Sequence, residues 1–285
     1  MGDHRMEPRH RHVQKTRGQG ACRLRIPRAS LDGFELKLIA MVFMFFDHVR
    51  SYVAYDVLPE WTSLIPRFVA PLFVFFLVEG FYHTHDRRAY ALRLYAAAVI
   101  MTVGNMAINI VFHNVDPLTG EITLYSMIQG NDIFLTLALF LSIMILVDRV
   151  RHSLGGPVAR IFAAAGAVVL SGLSLLCEGG LYLLPVLGCF YFLREHRVRA
   201  CAGVAVWCAM LFAHACLSAL SGSTGISLAS TLCFDNEWMM VAVTPFVLCY
   251  NGKRGCDTRA ARSLFYWFYP IHLWVLMAAS HLLTQ

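Results

Sequence analysis

Charged residues are scarce in this sequence: they make up 15% of its 285 residues, whereas 58% are hydrophobic. Soluble domains are about a quarter charged, and a globular core cannot bury this much apolar surface. None of the nine cysteines forms a CxxC pair, so neither a zinc framework nor a redox motif is indicated. Glycine-rich nucleotide loops, GxSxG elbows and internal repeats are also missing. These absences disfavour a soluble enzyme, a secreted disulfide scaffold and a transporter of duplicated halves.

Residues 1–30 differ in composition from the rest of the chain. They hold eight Lys and Arg residues and only two acids, without an apolar run of the kind that secretory signal peptides need. No aromatic residue is interleaved to stack on bases, so nucleic-acid binding is disfavoured. We predict a disordered cytoplasmic tail near anionic lipid, followed by a transmembrane domain over 31–285.

Apolar runs of membrane-spanning length dominate this domain, since a helix needs roughly 17–25 residues to cross a bilayer. In lipid the backbone must satisfy its own hydrogen bonds, so each run is predicted to be helical. The expected fold is an all-α polytopic membrane helical bundle of about nine transmembrane helices. The nine runs are 34–55, 64–83, 89–112, 131–148, 158–177, 180–193, 200–220, 237–250 and 263–283.

The positive charges alternate with these runs. Of the 24 Lys and Arg residues, 22 lie in the tail or in alternate connections, which the positive-inside rule places in the cytoplasm. The N-terminus is therefore predicted to be cytoplasmic. Arg50 and Arg67 lie instead toward the outer ends of the first two runs. Either they contact outer headgroups or they mark a site that needs positive charge.

Lys37 and His48 in the first run are the strongest chemical candidates. Eleven residues separate them, so on a helix they share a face and lie roughly 16 Å apart along the axis. Histidine can act as a general base near neutral pH, and a lysine near the cytoplasmic mouth suits an anionic donor. Asp47 points about 100° away from His48. A snorkelling lysine and a structural histidine are the alternative interpretation.

Other polar residues within or beside the runs are further candidates, because ionisable groups in a bilayer are costly. Glu79 and His83 are helical neighbours at i, i+4, as are Asn105 and Asn109. For Glu79 and His83, a cofactor-side role and a structural tie between helices both remain open. The remaining candidates are Asn131, Asp132, Glu178, Tyr269 and His272.

Four segments resemble the TraX family, named for the F-pilin acetylation protein. They are LDGFELKLIAMVFMFFDH, PRFVAPLFVFFLVEGFYHT with the following YALRL, YNGKRG, and FYWFYPIHL, in the family's order through most of 31–283. The resemblance extends more weakly to membrane acyltransferase family three, where a basic residue and a histidine enclose ten positions. Lys37 and His48 have that spacing, with lysine where that family usually has arginine.

The resemblance implies an acetyltransferase of the bacterial inner membrane that uses acetyl-CoA as co-substrate and no metal. His48 would be the general base or a covalent acetyl carrier, and Asp47 would lie in the catalytic group. Arg67 or Arg50 would steady the oxyanion or an anionic acceptor. Donor-binding residues would be Lys37, His83, Lys253 and Arg254. Channel residues would be Arg50, Glu79, Asn131, Asp132, Glu178, Tyr269 and His272. The acceptor would be a pilin amine or a surface glycan, and the sequence indicates no oligomeric state.

Two other classes of function fit the same buried polar residues. A transporter or lipid flippase would use them to line a substrate path, and it would move its substrate without covalent change. A non-catalytic scaffold for envelope or pilus assembly would keep its function when His48 is replaced by alanine. A transporter would leave the odd number of runs and the lack of inverted repeats unexplained, so the acetyltransferase is the favoured interpretation.

Overall fold

The computed structural model describes residues 30–54, 57–115, 119–123, 126, 132–152, 156–221, 227–256 and 258–283. Helices are the regular secondary structure of these ranges, accompanied by one isolated bridge between Leu31 and Tyr250. The all-α prediction is therefore confirmed. The tail 1–29 and Asn131 lie outside the described residues.

Within the described ranges, ten α-helices and two 3₁₀ segments follow one another. The first 3₁₀ segment, Glu60–Phe68, continues into the helix Val69–His83, and the second, Asn236–Ala242, continues into the helix Val243–Cys249. The helices are α1 (Gly33–Tyr52), α2 (Val69–His83), α3 (Arg87–Val111), α4 (Ile133–Arg151), α5 (Pro157–Ser174), α6 (Gly180–Phe192), α7 (Arg197–Leu220), α8 (Leu228–Phe234), α9 (Val243–Cys249) and α10 (Arg259–Leu283).

Each of the nine predicted runs overlaps one of these helices, but the helices differ in their ability to cross a bilayer. Within the described ranges, five are long and apolar enough: α2 with its 3₁₀ segment, α3, α4, α5 and α7. The pair formed by α8 and the segment Asn236–Cys249 is bent by 68° and could supply a sixth span. These are the helices of a membrane protein, whereas nine crossings and a cytoplasmic N-terminus stay predictions.

One end of the bundle, where α1 begins and α2 ends, collects the basic connections and is called the basic end. Ion pairs tie these connections together: Arg87 Nη1 to Asp148, and Arg194 Nε to Glu79 Oε1 at 3.3 Å. Arg197 Nη1 donates to the Tyr250 carbonyl at 2.7 Å. The alternate connections that carry the positive charges therefore lie together, as their spacing along the chain predicts.

The start of α1 is anchored at the basic end by a capping box. Asp32 accepts from the Glu35 N–H at 2.9 Å, and Glu35 accepts from the Asp32 N–H at 2.8 Å. The segment after α9 closes over this cap, because Gly33 N–H donates to the Lys253 carbonyl at 2.8 Å. Gly255 has φ +72°, and a Cβ there would collide with the Asp32 carboxylate. The YNGKRG segment thus belongs structurally to the start of α1.

The opposite end holds a close approach that only glycine permits. A Cβ on Gly180, the first residue of α6, would overlap the backbone carbonyl oxygen of Ser174, whereas a Cβ on Gly188 of the same helix would meet nothing within 4 Å. We expect Gly180→Ala to destabilise the protein by about 1–3 kcal/mol, because backbone must move to admit the methyl group. Thermal unfolding in detergent measures this loss.

The matched variant Gly188→Ala is expected to leave the melting temperature unchanged or to raise it slightly, since alanine favours helix over glycine by about 1 kcal/mol. Equal melting temperatures for Gly180→Ala and Gly188→Ala would contradict the tight contact between α6 and the end of α5.

Candidate active site

A cavity of about 320 Å³ lies toward the opposite end of the bundle, against α1, α2, α6 and α10. We call it the His48 cavity. Apolar side chains such as Met44, Phe73 and Leu183 form much of its wall. Seven ionisable side chains also line it: Asp47, His48, Arg67, Glu178, Tyr182, Glu237 and Tyr269. Convergent polar groups in a mostly apolar cleft are the usual composition of a small-molecule site.

His48 contacts a second histidine across the interface between α1 and α10. Its Nδ1 lies 2.7 Å from Nε2 of His272, and the ring centroids are 4.9 Å apart. The two residues are 7% and 6% exposed, respectively. On its other side, Nδ1 of His272 lies 2.6 Å from the Phe268 carbonyl oxygen. The two imidazoles therefore form a buried hydrogen-bonded pair, of which His48 lines the cavity and His272 does not.

Asp47 has a different partner, as the 100° between successive helical residues requires. Both of its carboxylate oxygens accept from Nη2 of Arg67, at 3.1 and 3.0 Å. Arg67 Nε also donates to the Ser63 carbonyl at 3.2 Å. The ion pair lies at the cavity wall with side chains 20% and 29% exposed. Asp47 therefore forms an ion pair with Arg67 and does not orient His48.

Arg50, the other exception in the charge distribution, lies outside this group. Its Nε donates to Thr62 Oγ1 at 2.9 Å, and its Nη2 lies 3.5 Å from the Glu60 carbonyl. These contacts connect the end of α1 to the first 3₁₀ segment. The structure thus places Arg67 in the cavity wall, whereas Arg50 lies beside the cavity in the contact between α1 and the first 3₁₀ segment.

Glu178 reaches the His48 cavity from the connection between α5 and α6. Its backbone carbonyl accepts from Thr136 Oγ1 at 2.8 Å, which holds the connection against α4. Burial raises the pKa of Glu178 to about 7, despite a hydrogen bond from the Asp132 N–H that lowers it. Asp132 itself caps α4 by accepting from the Leu135 N–H at 3.2 Å. Glu178 is thus a carboxyl group that can exchange a proton near neutral pH.

Tyr269 is buried between these groups, with 4% of its surface exposed. Its ring lies edge-on to His48 at 6.0 Å between centroids. Within the described ranges, its hydroxyl has no hydrogen-bond partner of good geometry, although it lies near the N–H of Ile133 at the start of α4. A buried hydroxyl at a cavity wall without a protein partner is available to a ligand.

A second cavity of about 290 Å³ lies at the basic end and is called the Lys37 cavity. The ammonium group of Lys37 lies 5.1 Å from the ring centre of Phe76 and 5.7 Å from that of Phe265. Arg254 Nη2 donates to the His83 carbonyl at 3.2 Å across the rim. The charged side chains lining this cavity are Lys37, Glu79, Arg93, Arg254 and Arg262, and the imidazole of His83 lies among them.

The sequence candidates at the basic end thus divide into two groups. Lys37, His83 and Arg254 line one cavity, whereas the side chain of Lys253 is exposed beside it. Glu79 pairs through its carboxylate with Arg194, and its backbone carbonyl accepts from Nδ1 of His83 at 2.7 Å. Glu79 and His83 are therefore joined by a hydrogen bond to the backbone of Glu79, and not by one between their side chains.

The two cavities share three walls, formed by α1, α2 and α10. Lys37 contacts Phe265 and His48 contacts Tyr269, so both residues of α1 face α10, as their spacing predicts. The axial separation of about 16 Å places them in different cavities. One helix face therefore connects a cationic cavity at the basic end to a histidine cavity near the opposite end.

Several residues of these sites carry no signal in the sequence. Glu237 in the second 3₁₀ segment lines the His48 cavity, and Arg93 in α3 and Arg262 in α10 line the Lys37 cavity. The sequence candidates Asn105 and Asn109, by contrast, are buried and line neither cavity: Asn105 Oδ1 accepts from Trp274 Nε1 at 3.2 Å, and Asn109 Oδ1 accepts from Asn114 at 3.3 Å. Among the described residues, no group of three or more His, Cys, Asp or Glu is arranged to hold a metal ion.

A family model described as TraX protein matches residues 32–280. The chain belongs to the TraX family. Over 255 residues it is 29% identical to the probable fimbrial assembly protein FimC, serogroup H1, of Dichelobacter nodosus, covering 87% of this chain and 96% of that relative. No solved structure matches. The match to the TraX family includes both cavities and excludes the basic tail.

Proposed function

We propose that this protein is an integral membrane acetyltransferase of the bacterial inner membrane, which moves an acetyl group from cytoplasmic acetyl-CoA to an amine or hydroxyl. The observation that carries this proposal is the α1 face that joins the Lys37 cavity to the His48 cavity. Membership of the TraX family and a relative named for fimbrial assembly support a pilus context. The acceptor would be a pilin amino terminus or a surface glycan.

The Lys37 cavity suits the anionic end of the donor. Lys37, Arg93, Arg254 and Arg262 supply cationic groups at one rim, and guanidinium and ammonium groups bind phosphate oxygens through charge-assisted hydrogen bonds. Phe76 and Phe265 supply apolar surface below them. The acyl arm of the donor would extend from here along α1, with its thioester toward His48.

Chemistry is assigned to the His48 cavity. His48 would remove a proton from the attacking nitrogen or oxygen of the acceptor as this atom bonds to the thioester carbonyl carbon. The tetrahedral intermediate carries an oxyanion, and the Tyr269 hydroxyl and Arg67 are the nearby donors. Collapse breaks the carbon–sulfur bond, and the departing thiolate takes up the proton from His48. Transfer through an acetyl-His48 intermediate uses the same groups.

A transporter is the second candidate, because cavities at opposite ends of the same three helices also suit alternating access to a substrate. The two functions differ in whether a covalent bond forms. Proteoliposomes supplied with acetyl-labelled acetyl-CoA and a peptide or sugar acceptor separate them. An acetyltransferase puts the label on the acceptor, whereas a transporter moves an unmodified substrate. Label on no acceptor, with transport of an unmodified compound, would overturn the proposal.

The donor site is tested by Lys37→Met in the same assay. We expect the KM for acetyl-CoA to rise about 10-fold or more, because a charge-assisted contact to phosphate is worth about 1.5–3 kcal/mol. Lys37→Arg keeps the charge and should restore most of the affinity.

Arg160→Met is the matched control, since Arg160 is an exposed cation at the start of α5 on the same end of the bundle. Its KM should stay within about twofold of the wild type by the usual smallness of exposed charge effects. If Lys37→Met and Arg160→Met behave alike, the donor is not bound in the Lys37 cavity.

A further inference from the structure

The hydrogen bonds of the two histidines determine where their protons are. A carbonyl oxygen only accepts, so Nδ1 of His272 must carry the proton in its contact of 2.6 Å with Phe268. A neutral imidazole has one N–H, which leaves Nε2 of His272 as an acceptor. Nδ1 of His48, at 2.7 Å from that atom, must then be the donor. Nε2 of His48 is therefore the one ring nitrogen of the pair whose lone pair is left over, and His48 lines the cavity.

We propose that His272 is a positioning residue that fixes the tautomer and the ring orientation of His48. This inference rests on the proposed function, in which His48 accepts a proton from the acceptor. The hydrogen bonds that run from the Phe268 carbonyl through His272 to His48 orient the His48 ring and fix its tautomer. A buried aspartate does the same for the histidine of a Ser-His-Asp triad. Asp47 does not perform it, because its carboxylate contacts Arg67, whereas Nδ1 of His48 contacts His272.

The His48–His272 pair accounts for the path of the proton through the reaction. The proton leaving the acceptor nitrogen or oxygen bonds to Nε2 of His48, which becomes an imidazolium. Its Nδ1–H stays hydrogen-bonded to Nε2 of His272, which is neutral and therefore able to accept. The same proton then leaves Nε2 of His48 for the thiolate of CoA. His272 ends the cycle in the protonation state in which it began.

Two substitutions of His272, by Phe and by Gln, distinguish a positioning role from a purely structural one. Its ring is stacked on Phe268 at 4.6 Å between centroids, so an aromatic residue of similar size preserves much of the packing. His272→Phe keeps the ring and removes the acceptor for His48. His272→Gln loses the ring, but its side-chain oxygen can accept from Nδ1 of His48. A structural residue is better replaced by Phe, and a positioning residue by Gln.

Kinetics and nitrogen NMR on the full-length protein together test the proposal. We expect His272→Phe to lower kcat by about 100-fold or more, because a wrong histidine tautomer costs up to about 10⁴-fold. The KM for acetyl-CoA should be unchanged, since the Lys37 cavity is intact. His272→Gln should keep kcat within about 10-fold of the wild type. His272→Phe with wild-type kcat would overturn the proposal.

The ¹⁵N chemical shifts of labelled histidine report the tautomer without any turnover, with His48→Gln identifying the signals of His48. We expect a protonated Nδ1 and an unprotonated Nε2 on His48 in the wild type. The opposite tautomer overturns the positioning role even if the enzyme is active. Absence of acetyl transfer by the wild type, with the expected tautomer observed, instead refutes the proposed function. The wild-type measurement decides the tautomer even where His272→Phe does not fold.

Discussion

Replacement of His48 by alanine is expected to lower acetyl transfer by about 10²–10⁴-fold, the range that a general base contributes. The effect should fall on kcat, because the Lys37 cavity that would bind the donor is about 16 Å away along α1. The measurement is the initial rate of label transfer from acetyl-CoA in membranes. Added imidazole should restore part of the rate in His48→Ala, since the removed side chain leaves a space of matching shape beside His272.

His214→Ala is the control for this experiment. His214 also lies in a long apolar helix, α7, but its side chain is exposed. Its removal should leave the rate within about twofold of the wild type, as expected of a surface substitution. A His48→Ala protein that transfers acetyl at the wild-type rate would refute the catalytic role of His48.

Tyr269→Phe is expected to lower kcat by about 10²–10³-fold, the loss typical of removing one oxyanion donor. Stability should not fall with it, because the buried hydroxyl has no hydrogen-bond partner of good geometry within the described part of the chain. The combination of lower kcat and unchanged melting temperature separates a donor to the reaction from a structural hydroxyl. Both quantities are measured on the same purified protein.

Tyr191→Phe provides the matched control. Tyr191 is likewise buried, and its hydroxyl likewise has no partner of good geometry among the described residues, but it lies at the basic end in α6. Its loss should alter neither kcat nor stability appreciably. A fall of about 1 kcal/mol or more in the stability of Tyr269→Phe, without loss of kcat, would assign the Tyr269 hydroxyl to structure instead.

The distribution of positive charge illustrates how far sequence reasoning extends. Arg50 and Arg67 both depart from the alternation of charge, and on that basis both are candidates for a site. The structure places Arg67 in the wall of the His48 cavity, whereas Arg50 binds the first 3₁₀ segment. Charge alternation is a property of connections along the chain. Whether a displaced arginine faces a cavity depends on the helix packed against it.

The irregular helices show the same limit. Hydrophobic runs predict helices correctly, because apolar composition and backbone hydrogen bonding are local requirements in lipid. The run 237–250 is short for a spanning helix, which suggests a piece of a longer helix or a re-entrant segment, but its length does not reveal the 68° bend at Asp235 between α8 and the segment Asn236–Cys249. A broken helix is stable only where neighbouring elements satisfy its freed backbone groups, and those neighbours are distant in the sequence.

The amino-acid sequence by itself determined the helical class, the gathering of basic connections at one end, and the shared face of Lys37 and His48. Each follows from hydrophobic run length or from the 3.6-residue helical repeat, which act between near neighbours. Only the tertiary structure decided that His48 is paired with His272, 224 residues away, and that Asp47 is paired with Arg67. It also brought Glu178 and Tyr269 to one cavity. Such contacts depend on how α10 packs against α1, and no local pattern encodes that register.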